Sequence, residues 1–250
     1  METSNTWHLD MPARPTERVG RWVAYYPEAA STQTLAANCR MDGAVFVADA
    51  QTGGRGTHGR SWHSAPGRGL WCSVVIEGSP HGLTAAAALA IRDAARPKAR
   101  LEIAWPNDLL LNGRKVAGVL VEHKAGWNAL GIGVNVHHAP GDFPKDLRPV
   151  ATSLAAETSE TWDRGELLAE ILFALDSAVA QLYGGKANAV MERWRRALDV
   201  VGHTVRQGAV VGRVTGIDAD GALVLATSGG VQRLYSGPIA FMDGERPCSL

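Results

Sequence analysis

Between Ala50 and Trp71 the chain reads AQTGGRGTHGRSWHSAPGRGLW. This stretch holds Gly53, Gly54, Gly56, Gly59, Gly67 and Gly69, the guanidinium groups of Arg55 and Arg60, and almost no aliphatic side chain. Closely spaced glycines let main-chain N–H groups approach an anion without obstruction by Cβ, and interleaved arginines add forked donors suited to carboxylate or phosphate. A flexible surface connection is the plainer alternative for any glycine-rich loop. Here GRGTHGRSW is followed by the apolar run Leu70 to Ile76, which reads as a buried strand and would hold the loop in place.

Other polar residues extend the same chemistry. Arg55, Arg60 and Lys115, with Asn107 and Asp108 available to hold Mg2+, suit a reaction in which two anions must meet, such as a carboxylate attacking a phosphoryl group. Fixed cations at both reactants remove much of the Coulomb repulsion that opposes that step. No Ser-His-Asp order, HExxH or GxxxxGK[ST] run is present, so covalent hydrolysis, zinc proteolysis and P-loop phosphoryl transfer lack their parts. Electrostatics without a nucleophile suits adenylation. Lys115 opens a strand rich in Val and Leu, so its ammonium either reaches solvent or lies under a ligand. Ser31 and Thr32 stand at a helix entrance, where capping is the usual role, although N–H groups exposed there would also suit a polar ligand head. His137 and His138 have no acidic or cysteine partner at ligand spacing, and a solvated pair is expected.

The elements that must position these residues follow from pattern. Strands are expected at Arg21 to Tyr26, Ala44 to Ala50, Gly69 to Glu77, Leu101 to Trp105, Lys115 to Glu122 and Trp127 to Val136, with an Asn112-Gly113 hairpin turn. Gly131 and Gly133 inside the last of these suggest close approach of a ligand or a backbone. Helices are expected at Gln33 to about Arg40, Gly82 to Ala95, Arg164 to Tyr183 and Ala187 to Ala197. His137 to Pro149 is a loop long enough to act as a lid. From Val200 to Ile239 short alternating strands punctuated by glycine indicate a small β-barrel. The reading is an α+β chain with a mixed β-sheet, divided into a tail at 1–18, a main domain at 19–198 and a C-terminal β-barrel at 199–250.

Bulk properties narrow the class. The 250 residues suffice for a core without staples, and 25 basic against 25 acidic side chains give a pI near 7.1, which argues against nucleic acid as a partner. Cys39, Cys72 and Cys248 form no CxxC pair, which fits a reducing cytoplasm. No stretch approaches the ~18 apolar residues of a membrane span, and the N-terminal segment lacks the apolar centre of a signal peptide. A soluble cytoplasmic protein is expected.

From about Trp22 to Gly237 the sequence resembles the biotin–protein ligases of the short type. The resemblance rests on Ser31-Thr32, Gln51, Gly54-Arg55-Gly56, Trp105-Pro106-Asn107-Asp108, Lys115-Val116-Ala117-Gly118, Gly131-Ile132-Gly133-Val134-Asn135 and Thr152-Ser153-Leu154, in family order. It implies a class II synthetase-like biotin/lipoate ligase fold with an SH3-like C-terminal barrel. It also implies ATP and Mg2+ as cofactors, biotin as substrate, and a biotin carboxyl carrier protein as acceptor, with the enzyme a monomer or homodimer. By the same resemblance Ser31, Thr32 and Gln51 would bind the ureido head of biotin, Gly54, Arg55 and Gly56 would close over its tail and the phosphate, and Gly118 would pack beneath it. Arg55 and Lys115 would be catalytic, with Lys115 touching the biotin carboxylate and the α-phosphate. Arg55, Arg60, Trp62, Asn107 and Asn135 would serve the nucleotide, Trp62 by stacking on adenine, and Asp108 would be the ligand of Mg2+.

Two positions depart from the family pattern. Ala104 replaces the usual lysine before WPND, so that Arg60, His58 or Lys124 would have to substitute or the charge is dispensable, and Thr57 stands where an arginine is common. Longer members carry a helix-turn-helix before the ligase domain, for which the few residues before Val19 leave no room, so a ligase alone is expected. A lipoate–protein ligase and a non-catalytic biotin-binding module are the alternatives.

Overall fold

The computed structural model describes residues 16–242. Along the chain run β1 (Val23–Ala29), α1 (Thr32–Ala37), β2 (Val45–Gln51), β3 (Gly69–Glu77), α2 (Leu83–Ala95), β4 (Glu102–Ala104), β5 (Asp108–Leu111), β6 (Arg114–Lys124) and β7 (Trp127–Asn135). These are followed by α3 (Leu154–Glu157), α4 (Arg164–Tyr183), α5 (Ala187–Ala197), β8 (Thr204–Gln207), β9 (Val210–Ile217), β10 (Leu223–Thr227), β11 (Gly230–Leu234) and β12 (Ala240–Phe241).

The alternation of side chains along β3 organises the molecule. Leu70, Cys72, Val74 and Ile76 enter the main core beneath α2 and α4, while Val75 joins a smaller cluster under α1 with Ala36, Phe46 and Ala129. Both faces are therefore covered, which is why the strand reads as a continuous apolar run. The first seven strands form one mixed sheet in the order β1-β2-β3-β7-β6-β5-β4, with β1 and β2 parallel and every other pair antiparallel. The last five form an antiparallel sheet in the order β11-β10-β9-β8-β12. Its apolar residues Val205, Val214, Leu223, Leu225 and Leu234 join the same core, and the indole N–H of buried Trp105 donates to Gly221 O at 2.9 Å across the junction.

Polar pins fix the helical side. Asp176 of α4 accepts the backbone N–H groups of Glu17, Arg18 and Val19 at 2.8, 3.0 and 2.7 Å. Arg164, buried at the start of α4, reaches Asp49 of β2 at 2.6 Å and the carbonyl of Gly69 at 3.1 Å.

Several expectations need correction. β1 starts at Val23 and continues through Pro27 to Ala29, because a proline is tolerated on an edge strand. α1 stops at Ala37, where the Arg40 guanidinium takes the carbonyls of Ala37 and Cys39. The one-turn helix α3, capped by Ser153 accepting from Ala156 N–H at 3.2 Å, was not anticipated. His137 and His138 are not a solvated pair. His138 is buried, stacked on Phe143 with ring centroids 4.6 Å apart, and His137 Nε2 lies 2.8 Å from Trp162 O. The expected tail at 1–18 and barrel at 199–250 lie partly outside the described residues, as does Cys248.

Candidate active site

The face of the sheet opposite α2 and α4 is covered by α1 at one end only. Beside α1 the floor is made by Trp71 and Ser73 of β3, Gly131 and Gly133 of β7, and Gly118 of β6, which alternation brings to one side. The glycines are required by close approach. A Cβ on Gly131 would stand 2.6 Å from Gln33 Oε1, and one on Gly133 would stand 2.7 Å from the indole of Trp62.

At the α1 end the cavity is lined with a connected polar network. Thr32 donates to Gln51 Oε1 from its backbone N–H at 2.8 Å and from its hydroxyl at 3.2 Å, and that hydroxyl is 2.9 Å from Ser73 Oγ. Ser73 in turn donates to Gln33 Oε1 at 3.0 Å, while Gln51 Nε2 donates to Ser64 Oγ at 2.9 Å. Ser31 occupies the cap position of α1, yet its hydroxyl makes no capping bond, and this buried oxygen has no hydrogen-bond partner among the described residues. The usual capping role is thus not what Ser31 does.

The glycine loop folds over this cavity as a short hairpin. Gly56 N–H donates to Arg60 O at 2.7 Å, Trp62 N–H donates to Gly54 O at 2.9 Å, and Arg55 bridges Ser61. His58 and Gly59 make its tip at positive φ of 56° and 74°. Arg55 Nη2 lies 2.6 Å from Glu122 Oε1. Arg60 turns back onto Thr57, donating to its hydroxyl at 3.0 Å and its carbonyl at 3.2 Å, so the residue that departs from the family pattern braces the neighbouring arginine.

Trp62 separates two cavities. The first holds Ser31, Thr32, Gln51 and the glycine floor, and the second is lined by Trp62, His63, Asn135, Phe143, Leu147 and Ala151. Gly56, Thr57, Trp62 and Lys115 border both. Lys115 Nζ lies 2.7 Å from Asp108 Oδ1 and 5.2 Å from the Trp62 ring centroid, mostly buried beside a carboxylate that is fully so. It is not a surface lysine.

Other anticipated residues are placed differently. Asn107 lines the first cavity, where its amide donates to Val119 O at 2.8 Å, and Arg60 borders the second cavity only. Asn135 donates to Thr152 O at 2.9 Å. Ala104 faces neither cavity and lines a groove with Leu198, Val200 and Phe241. Among the described residues no group of three or more His, Cys, Asp or Glu side chains could hold a metal, and Asp108 is already engaged by Lys115. Mg2+ takes most of its ligands from substrate phosphates and water, so an ion brought by ATP would need at most one or two carboxylates from the chain.

Sequence reasoning missed Gln33 and Ser73. A serine inside the apolar run LWCSVVI was the available signal.

Glu157 braces the loop ahead of α3. Burial raises its carboxyl pKa, but hydrogen bonds from Thr152 and Asn112 and the Arg114 cation outweigh that and hold it below its usual range. His138 is pushed down to about 4, by burial first and by neighbouring His63 second.

Known proteins share this architecture. Residues 29–138 match the Biotin/lipoate A/B protein ligase family, and residues 201–242 match the Biotin protein ligase C terminal domain. The chain is 34% identical over 245 residues to the bifunctional ligase/repressor BirA of Bacillus subtilis, covering 90% of this chain and 75% of that protein. It is 31% identical to the biotin–[acetyl-CoA-carboxylase] ligase of Mycobacterium tuberculosis, covering 83% and 82%. The solved biotin protein ligase from Aquifex aeolicus in complex with biotin and ATP superposes with a TM-score of 0.77 at 26% identity, covering 88% of this chain and 98% of that one. A mixed sheet followed by a small antiparallel one is thus the architecture of a ligase. The chain belongs to the biotin protein ligase family.

Proposed function

We propose that the chain is an ATP-dependent ligase that makes biotinyl-5′-AMP from biotin and ATP at this site and passes the biotinyl group to a lysine of a biotin carboxyl carrier protein. The observation that carries this reading is the position of Lys115, which borders both cavities at their junction. The ureido head of biotin lies against Ser31, Thr32 and Gln51, its rings rest on the glycine floor beside Trp62, and its carboxylate reaches Lys115. ATP enters the second cavity with its base near Trp62 and Asn135, bringing its α-phosphate to the same ammonium.

Two unit charges ~4 Å apart repel by about 4 kcal/mol at the effective dielectric of a protein surface, which the ammonium between them offsets. The carboxylate oxygen attacks the α-phosphorus and pyrophosphate leaves. In the second step an uncharged lysine amine attacks the acyl carbon, AMP leaves and the amine gives up a proton. Arg55 and Gly54 to Gly56 cover the adenylate and exclude water.

No helix among the described residues is long and apolar enough to cross a membrane, and Cys39 and Cys72 are free thiols, which supports action in the cytoplasm. The balanced charge supports a protein acceptor rather than nucleic acid, with the enzyme working as a monomer or homodimer. The test is exchange of labelled pyrophosphate into ATP with biotin, with lipoate and with neither. Exchange with biotin alone is expected. Exchange with lipoate alone would make the chain a lipoate ligase, and none with either would make it a binding module.

A further inference from the structure

Glu122 has no part in the chemistry described above, yet it holds the arginine that does. It lies on β6 beyond Gly118 and Leu120, and alternation puts these three on the cavity side of the sheet. Arg55 belongs to the loop that leaves β2. Between β2 and β6 in the sheet lie β3 and β7, which carry the floor residues Ser73, Gly131 and Gly133. The 2.6 Å contact between Arg55 Nη2 and Glu122 Oε1 therefore spans the cavity from one side to the other.

The remainder of the carboxylate serves nothing local. Glu122 Oε2 is buried with no hydrogen-bond partner among the described residues, which costs free energy, so the Arg55 contact at Oε1 is the charge-assisted bond that offsets it. The pair is also part exposed, at 47% and 32% for the two side chains, so it is a weak link that opens readily.

We propose that Glu122 is a positioning residue of the ligase reaction: it clasps Arg55 across the biotin cavity and sets how fast biotin and biotinyl-AMP leave. The inference rests on the ligase reading given above. The clasp adds no bond in the reaction; it closes the hairpin over the ligand and releases it when the ion pair opens.

The probe is biotinol, the uncharged alcohol analogue of biotin, because its own binding carries no charge that salt would screen. Its dissociation is followed by stopped-flow tryptophan fluorescence in the parent, Glu122→Gln and Glu122→Asp. Release from Glu122→Gln should be about fivefold faster at low salt, and the parent should approach it as salt is raised, since exposed ion pairs are weak and screened. Glu122→Asp, with the charge on a shorter arm, should fall between them. Single-turnover adenylation at saturating biotin and ATP should stay within about twofold of the parent. Release unchanged by Glu122→Gln, or independent of salt in the parent, would overturn the clasp while leaving the ligase reading intact. A parent that bound neither biotinol nor biotin would overturn the ligase reading and the clasp with it.

Discussion

Gly118 and Gly133 are register partners across β6 and β7, and the indole of Trp62 lies on the flat patch they leave. A Cβ would stand 3.0 Å from the ring at Gly118 and 2.7 Å from it at Gly133, and neither glycine has positive φ. Gly133→Ala should therefore fold, with overpacking costing about 1–3 kcal/mol, but must displace the wall between the cavities. Affinities for biotin and for ATP should fall together, by about tenfold or more. Calorimetric titration of both ligands with melting alongside checks this, and parent-like binding of both would show that the ring is not the dividing wall.

Lys115→Ala combines two losses. Removing the ammonium from between the reacting anions should cost ~3 kcal/mol of transition-state stabilisation, on the order of 100-fold in rate. It also removes one partner of buried Asp108, and breaking a buried ion pair commonly costs about 3–5 kcal/mol of stability. Adding Asp108→Asn to the same chain should restore most of the melting temperature and none of the rate. Lys115→Arg should rescue poorly, because a planar fork does not fill the place of a compact ammonium. Biotin-dependent pyrophosphate exchange and thermal melting of the three variants separate the two contributions.

Ser31 and Ser73 predict different behaviour from the same substitution. The Ser31 hydroxyl is buried without a hydrogen-bond partner among the described residues, so Ser31→Ala should leave melting unchanged or raise it while weakening biotin binding by about 0.5–1.5 kcal/mol, up to roughly tenfold. Ser73→Ala removes the link between Thr32 and Gln33 and should lower stability and affinity together. Melting curves of the empty proteins decide between these outcomes.

Stability should depend on pH through His138. Its pKa is about 4 in the folded chain against 6.5 as the ordinary value, so the unfolded chain binds the extra proton between those limits. Its contribution is fully present above pH 6.5 and is lost as pH falls toward 4, up to roughly 3 kcal/mol. Glu157 acts lower, since its folded pKa lies below 4.5. His138→Phe, stacked against Phe143, should flatten the profile between pH 4 and 6.5; an unaltered slope in urea melts across that range would assign it elsewhere.

The strand ladder was legible because burial leaves a mark on residue type. β3, α4 and α5 begin and end where apolar period and flanking glycine or proline place them. Gly131 and Gly133 announced a close approach, and the structure supplies its partners, Gln33 and Trp62. What was hidden depends on register and on long-range neighbours. That Ser73 meets both Thr32 and Gln33 follows from how α1 seats on β3, which no local pattern encodes. His138 looked like a solvent residue because the ring that covers it, Phe143, comes from a loop without period. Arg55 was legible as a guanidinium suited to a carboxylate, and its partner Glu122 was not, because a glutamate near a strand end resembles any solvated charge.

The three backbone N–H groups that Asp176 collects at Glu17 to Val19 bear on how the enzyme can be handled. α4 lies on the face of the sheet away from the cavities, so Glu17 to Val19 are pinned on the reverse side from both of them. A label or surface tether fixed at Glu17 to Val19 consequently starts on the side of the sheet that the hairpin does not cover.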